Sequence, residues 1–167
     1  MARRITSLRS EAQKELVDRL VNIGIETMRQ AYESADFSKN KTQNLHDSYG
    51  CAVYHNGMLV KGTIHTLTET PKATQPRRLY GKDVYGREHV EDYLRLYKPR
   101  SGGFQLVVIA SMPYAGILEA GKTPLHRKYQ VISGIKEAMI DKAKDLGGTR
   151  SRRREGRYVI RHIKDAI

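Results

Sequence analysis

The sequence predicts an α+β domain: a small antiparallel sheet of about three to five strands, flanked by a long N-terminal helix and a C-terminal helix, with a long insertion between strands. Three features carry that expectation. Residues 10 to 34 repeat apolar side chains at three- and four-residue steps, the period of a helix with one buried face. Leu106 to Ala110 is an unbroken apolar run that reads as a buried strand, and Pro113 ends its ladder because proline has no N–H to donate. Asn56-Gly57 sits between two strand-like stretches, and a type I′ hairpin turn needs two residues that tolerate positive φ.

Ser10 and Gln13 have the form of a capping box, which sets the first helix at about Ser10 to Ser34. Leu16, Leu20, Ile23, Thr27 or Met28 and Ala31 form its apolar stripe, with Lys14, Asp18, Asn22, Glu26 and Arg29 on the other side and Glu15–Arg19 as an i,i+4 pair. Polar residues 36 to 43 form a turn, Asn44 to Ser48 leads into the sheet, and the hairpin strands run from about Tyr49 to His55 and Met58 to Thr66.

Residues 67 to 103 are an insertion or extended loop with one short helix, about Arg87 to Tyr97. It holds three of the five prolines (Pro71, Pro76, Pro99) and four of the ten tyrosines (Tyr80, Tyr85, Tyr93, Tyr97), so rigid turns and aromatic contacts dominate it. Interleaved aromatic and basic residues can stack on and neutralise single-stranded nucleic acid, or dock the insertion on its own domain or a neighbouring subunit. Arg77, Arg78, Tyr80 and Tyr85 are the candidate contacts to a partner or to DNA.

After the central strand, Tyr114, Ala115, Ile117 and Leu118 cover one side of a short helical turn, with Glu119 exposed and Gly121 ending it in a left-handed conformation. A connector with Pro124 leads to a second amphipathic helix, about His126 to Leu146, through Ile132, Ile135, Met139, Ala143 and Leu146. Lys142 and Lys144 suit the dipole of its last turn, and Gly147-Gly148 stops it. Residues 148 to 167 form a basic C-terminal arm in which Tyr158 to Ile163 is either a late strand or frayed; Arg152, Arg153, Arg154 and Arg157 are further candidates for contact with DNA or a partner.

A chain of 167 residues suits one domain, 1–167, with one core. The single cysteine, Cys51, excludes an intramolecular disulfide and fits a reducing cytosol, and no run approaches the ~20 apolar residues that span a bilayer. The net charge of +12 is unevenly placed: residues 1–10 carry three basic and no acidic residues, 66–103 eight basic and five acidic, and 150–161 six basic and one acidic. The core is therefore close to neutral and the excess lies on segments outside it, where it can attract nucleic acid or an acidic protein surface.

Nothing in the sequence has the spacing of a catalytic or metal centre. His46, His55, His65, His89, His126 and His162 are scattered, without HxxxH, HExxH or Cys-His spacing, and no GxSxG, P-loop or GxGxxG occurs. Gly102-Gly103 precedes a strand instead of opening a helix, the wrong order for a phosphate cradle. Glu69-x-x-Lys72 resembles a fragment of a nuclease metal site but lies in a proline-rich loop. No catalytic residue, cofactor or metal is expected.

Two stretches together, TQNLHDS (Thr42 to Ser48) before the hairpin and PYAGILEAG (Pro113 to Gly121) after the central strand, resemble the tail-completion or neck family of long-tailed bacteriophages. Thr42, Leu45 and Ser48 match that family's T-G-x-L-R-x-S type element; Tyr114, Ala115, Glu119 and Gly121 match its YA-x-x-x-E-x-G type element. Gln43 and His46 replace the usual Gly and Arg, and the insertion and basic tail lie outside the pattern. The residues read as scaffold: Leu45 a core plug, Ser48 a turn former, Pro113 the strand's end, Tyr114 and Leu118 packing residues, Gly121 a backbone requirement. The resemblance implies a non-enzymatic virion protein made in the host cytoplasm and placed at the head–tail junction. It would be a homo-oligomeric ring, hexamer or dodecamer, meeting connector or adaptor and tail-terminator or tail-tube proteins, with nonspecific DNA in its channel. The alternative is a sequence-independent nucleic-acid-binding protein that uses the basic, tyrosine-rich insertion and arm.

Overall fold

The computed structural model describes residues 2–35, 42–122, 124, 126–129, 131–146, 148–152 and 158–163. The helical period at the N-terminus forms α1 (Ala2–Ser34), whose Leu20, Thr27, Met28 and Ala31 are buried and whose Glu15–Arg19 pair forms on the exposed side. Ser10 lies inside this helix instead of capping it. Ala2, Arg3, Arg4, Leu8 and Arg9 all favour helix and no Gly or Pro precedes Ser10, so the helix begins eight residues earlier than the capping box suggests.

After α2 (Asn44–Asp47), the first hairpin has β1 (Tyr49–His55) and β2 (Met58–Leu59), joined by Asn56 and Gly57 at φ 50° and 85°. The expected second strand to Thr66 is interrupted and resumes only as β3 (His65–Thr66). Both β2 and β3 pair with the same edge of β1, and Thr63 bridges the gap: its Oγ1 lies 3.3 Å from the Val53 N–H and 3.0 Å from the Val53 carbonyl. The Val53 carbonyl keeps its ladder bond from the Val60 N–H at 3.0 Å, and the Thr63 hydroxyl, 2.7 Å from the Val60 carbonyl, stands between that carbonyl and the Val53 N–H, which do not meet directly.

The insertion carries its own elements: a two-stranded ribbon, β4 (Arg77–Leu79) and β5 (Lys82–Val84), then α3 (Gly86–Leu96). The chain then enters β6 (Phe104–Ala110), turns through α4 (Pro113–Glu119), and passes a 3-10 turn at Ser133–Ile135 into α5 (Lys136–Lys144). The expected helix from His126 is shorter than its apolar stripe, because His126 has φ 49° and the N–H groups of Ile132 and Ser133 are held by the Glu119 carboxylate, fixing a non-helical lead-in. Finally β7 (Gly148–Arg152) and β8 (Tyr158–Ile163) form a hairpin, and β8 pairs with β6 from Val108 to Phe104. Gly147, expected in the helix stop, lies outside the described residues; Gly148 opens β7. The described part of the basic arm is therefore a pair of strands in the main sheet.

The strand order is β2-β1-β6-β8-β7, all antiparallel, with β6 in the middle as its apolar run implies. Along β1 and β6 successive residues serve opposite faces. Tyr49, Cys51, Val53, Leu106 and Val108 join α1, Ile135 and Met139 in one core, while Ala52, Tyr54, Val107 and Ile109 join Val90 and Leu94 of α3 in another. The sheet lies between two helical layers. Each layer touches it at a glycine: a Cβ on Gly24 of α1 would stand 2.7 Å from Cys51 Sγ, and one on Gly50 of β1 would stand 2.6 Å from Val90 Cγ2 of α3. Tyr93 and Tyr97 pack against Tyr54, whose hydroxyl donates to the Leu94 carbonyl. Among the described residues no helix is long and apolar enough to cross a membrane.

Candidate functional site

The stretches 42–48 and 111–121 meet at one end of β1 and β6. Gln43 at φ 57° turns the chain into α2, and every residue from Asn44 to Ser48 is buried. Each polar side chain there, of Asn44, His46, Asp47 and Ser48, has a partner. Asn44 Oδ1 accepts the Gly86 N–H at 2.9 Å and its Nδ2 donates to the Gln75 carbonyl at 2.8 Å, which ties the start of α3 and the base of the ribbon to α2. Asp47 Oδ2 accepts the N–H groups of Lys72 and Ala73 at 2.7 and 2.6 Å, and its Oδ1 lies 2.9 Å from His46 Nδ1. The His46 ring meets Tyr32 of α1 edge-on at 4.3 Å. Ser48 Oγ donates to the Leu45 carbonyl at 2.8 Å, and the Ser48 carbonyl accepts the Ser111 N–H at 2.9 Å, joining the first stretch to the end of β6.

On the other side of the joint, Pro113 occupies the first turn of α4, where its missing N–H costs nothing. The Tyr114 ring lies 5.6 Å beneath the Arg77 guanidinium; burial raises its pKa, and the Arg77 charge and the Thr42 side chain act in the opposite direction. Ala115 is buried and Leu118 packs against the same core. Gly121, at φ 67°, closes α4 with its N–H on the Leu118 carbonyl at 3.1 Å and the Lys122 N–H on the Ile117 carbonyl at 3.0 Å. Glu119 is not free on the surface as the sequence suggested: its two carboxylate oxygens accept the N–H groups of Ile132 and Ser133 at 2.9 and 3.0 Å.

A cleft of about 150 Å³ opens beside the joint, walled by Ile109, Met112, Ala115, Val131 and Ile132 with Ser111 and Glu119 at its polar side. Both polar groups are already engaged, Glu119 as above and Ser111 Oγ with His89 Nδ1 at 3.0 Å. Burial lowers the His89 pKa, with Asp92 acting in the opposite direction. Burial pushes the Cys51 thiol up to about 12, far from a reactive thiolate. Among the described residues no group of three His, Cys, Asp or Glu side chains could hold a metal ion.

Of the residues singled out from sequence, Thr42, Leu45, Ser48, Pro113, Tyr114, Ala115, Leu118, Glu119 and Gly121 all lie in this joint and its supporting core. Arg77 belongs to it too. Arg78 and Tyr80 are exposed on the β4–β5 ribbon, and Tyr85 is half-buried at the start of α3, where its carbonyl accepts the His89 N–H at 3.0 Å. Arg152 lies on β7, while Arg153, Arg154 and Arg157 lie outside the described residues. Sequence reasoning missed Asn44 and Asp47; two short polar side chains three apart, directly before a strand, were the available signal, since such residues bond backbone readily. It also missed the ribbon, although Tyr80-Gly81 between Arg77–Leu79 and Lys82–Val84 has the form of a two-residue hairpin. Comparison of the chain with protein-family models, with curated proteins and with solved structures finds no match.

Proposed function

We propose that this chain is a non-catalytic structural subunit of the head–tail junction of a long-tailed bacteriophage, a neck or tail-completion protein. In this reading it is made in the host cytoplasm and built into the virion as a homo-oligomeric ring, hexamer or dodecamer. The ring stands between the connector or adaptor and the tail-terminator or tail-tube proteins, with DNA passing through its channel. The observation that carries the reading is the meeting of the two stretches that resemble the family: the Ser111 N–H donates to the Ser48 carbonyl at 2.9 Å, joining the end of the first stretch to the start of the second. The polar groups gathered there hold backbone, which is the work of a scaffold. Electron microscopy of the purified full chain, alone and mixed with connector and tail-tube assemblies, tests it. Rings of one stoichiometry with a central channel, or a collar on either assembly, are the expected result; a monomer that binds neither overturns it.

Sequence-independent nucleic-acid binding is the second reading, favoured by the net charge of +12 and the six basic residues against one acidic between 150 and 161. Its signature is affinity for unrelated duplexes that falls steeply with salt. Filter binding that shows no retention at low salt removes it.

A further inference from the structure

Asparagine is one of the chemically labile side chains: the backbone nitrogen that follows it attacks the side-chain amide carbon and closes a cyclic imide. Four asparagines occur in the chain, and Asn56 alone is followed by glycine, the least hindered nucleophile for that step because it has no Cβ beside its nitrogen. Asn56 is exposed at the tip of the first hairpin, and a Cβ placed on Gly57 would find its nearest non-neighbouring atom at 3.9 Å, so the turn has room for the side chain and the nitrogen to approach each other.

The Asn56 amide is held at both of its polar atoms. Its Oδ1 accepts the Gly103 N–H at 3.0 Å, and its Nδ2 lies 3.2 Å from His55 Nε2. The imidazole is itself fixed, stacked on Phe104 with ring centroids 4.2 Å apart and planes 10° from parallel. These contacts answer what ring closure requires. An N–H faces the oxygen that turns negative as the nitrogen adds, and an ionisable ring faces the nitrogen that leaves as ammonia. The turn itself is lightly closed: β2 is an edge strand of two residues that meets β1 through two residue pairs, so Gly57 can swing toward Asn56 Cγ without opening the core.

We propose that Asn56 is a self-modification site of the folded chain, converted through a cyclic imide to aspartate and isoaspartate with Gly103 and His55 assisting. The Gly57 nitrogen bonds to Asn56 Cγ and releases its proton to solvent. The Cγ–Nδ2 bond breaks, and Nδ2 leaves as ammonia with a proton from His55, which solvent restores. Water then opens the imide at either carbonyl. Opening at Cγ leaves aspartate, whose carboxylate keeps the Gly103 N–H in a charge-assisted bond. Opening at the backbone carbonyl leaves isoaspartate, which routes the main chain through Cβ and Cγ and so lengthens a turn whose type depends on its length. Either product adds a negative charge beside the loop that carries exposed Lys98 and Arg100, so this end of the sheet loses part of its positive charge as the protein ages. The reaction consumes only water and holds for a free chain and for a ring subunit alike.

Peptide mass spectrometry of the purified full chain during incubation at neutral pH tests the site, with an isoaspartyl methyltransferase reporting isoaspartate and a parallel sample kept in urea. In the folded chain Asn56 is expected to convert at least as fast as in urea, while Asn22 and Asn44 stay intact. His55→Phe keeps a ring on Phe104 but has no proton to give; it should slow conversion in the folded chain by roughly tenfold or more and leave the rate in urea unchanged. Slower conversion in the folded wild type than in urea overturns the proposal, because the turn then protects the amide; that comparison stands whether or not the variant folds. Equal rates in folded wild type and folded His55→Phe also overturn it, as does a variant slowed equally in urea, since the Asn-Gly sequence would then react without help from the fold.

Discussion

Asn56 and Tyr80 hold the same backbone position: each is the first central residue of a two-residue hairpin turn, each has φ 50°, and each is followed by a glycine in positive φ. Asn56 suits the position and also works there, its Oδ1 accepting the Gly103 N–H at 3.0 Å. Tyr80 has neither advantage. Replacing Tyr80 by Asn should therefore raise the stability of the folded monomer by about 0.5–1 kcal/mol, and Asn56→Tyr should lower it by at least as much. Urea denaturation of the two variants and the wild type reads both. A loss of stability in Tyr80→Asn would mean that the Tyr80 ring supports its own domain.

Gly24 marks the close crossing of α1 over β1. An alanine there gains up to ~1 kcal/mol of helix propensity but drives its Cβ to 2.7 Å from Cys51 Sγ and 3.1 Å from Leu106 Cδ1, so Gly24→Ala should cost about 1–3 kcal/mol net. Cys51→Ala removes the nearest atom. The double variant should be more stable than the sum of the two single losses, a coupling that denaturation midpoints of all four proteins will measure.

Asp47 is 2% exposed and its carboxylate holds two backbone N–H groups from residues 25 and 26 positions away. Asp47→Ala should cost about 2–4 kcal/mol, because the Lys72 and Ala73 N–H groups lose their acceptor. Hydrogen exchange should rise at those two amides before the sheet is affected. If protection at Lys72 and Ala73 survives in Asp47→Ala, the carboxylate does not anchor this loop.

His89 gives the fold a pH response of known sign. Its pKa is lowered from 6.5 by burial, against the pull of Asp92, so the unfolded chain takes up the proton more readily than the folded one. This group should leave stability unchanged above about pH 6.5 and reduce it as pH falls through that value toward the lower folded pKa. Melting curves from about pH 7.5 to 5 should show a shallower slope in His89→Gln than in the wild type. Equal slopes would place the response elsewhere.

Much of the architecture is legible because its signals are local. Asn56-Gly57 sets the hairpin, the run in β6 has too little polarity to lie at an edge, and Pro113 and Gly121 bound α4 through one missing N–H and one positive φ. The helical period of α1 needs no knowledge of its neighbours. Its start was misplaced only because Ser10 has a capping sequence in a context that does not stop a helix.

What the tertiary structure alone decided depends on residues far apart in the chain. Which face α3 covers follows from Val90 and Leu94 meeting Tyr54 and Val107, a pairing that the insertion's composition does not specify. That Tyr158–Ile163 is a strand and not a frayed end, the two alternatives its sequence left open, follows from the edge that β6 offers it. Asp47 and Glu119 look like ordinary surface carboxylates in sequence; the fold brings each to two backbone N–H groups, and only there does burying them become favourable. Residue order and local stereochemistry thus determined the elements, while the need to bury both sheet faces and satisfy every enclosed polar group determined how they came together.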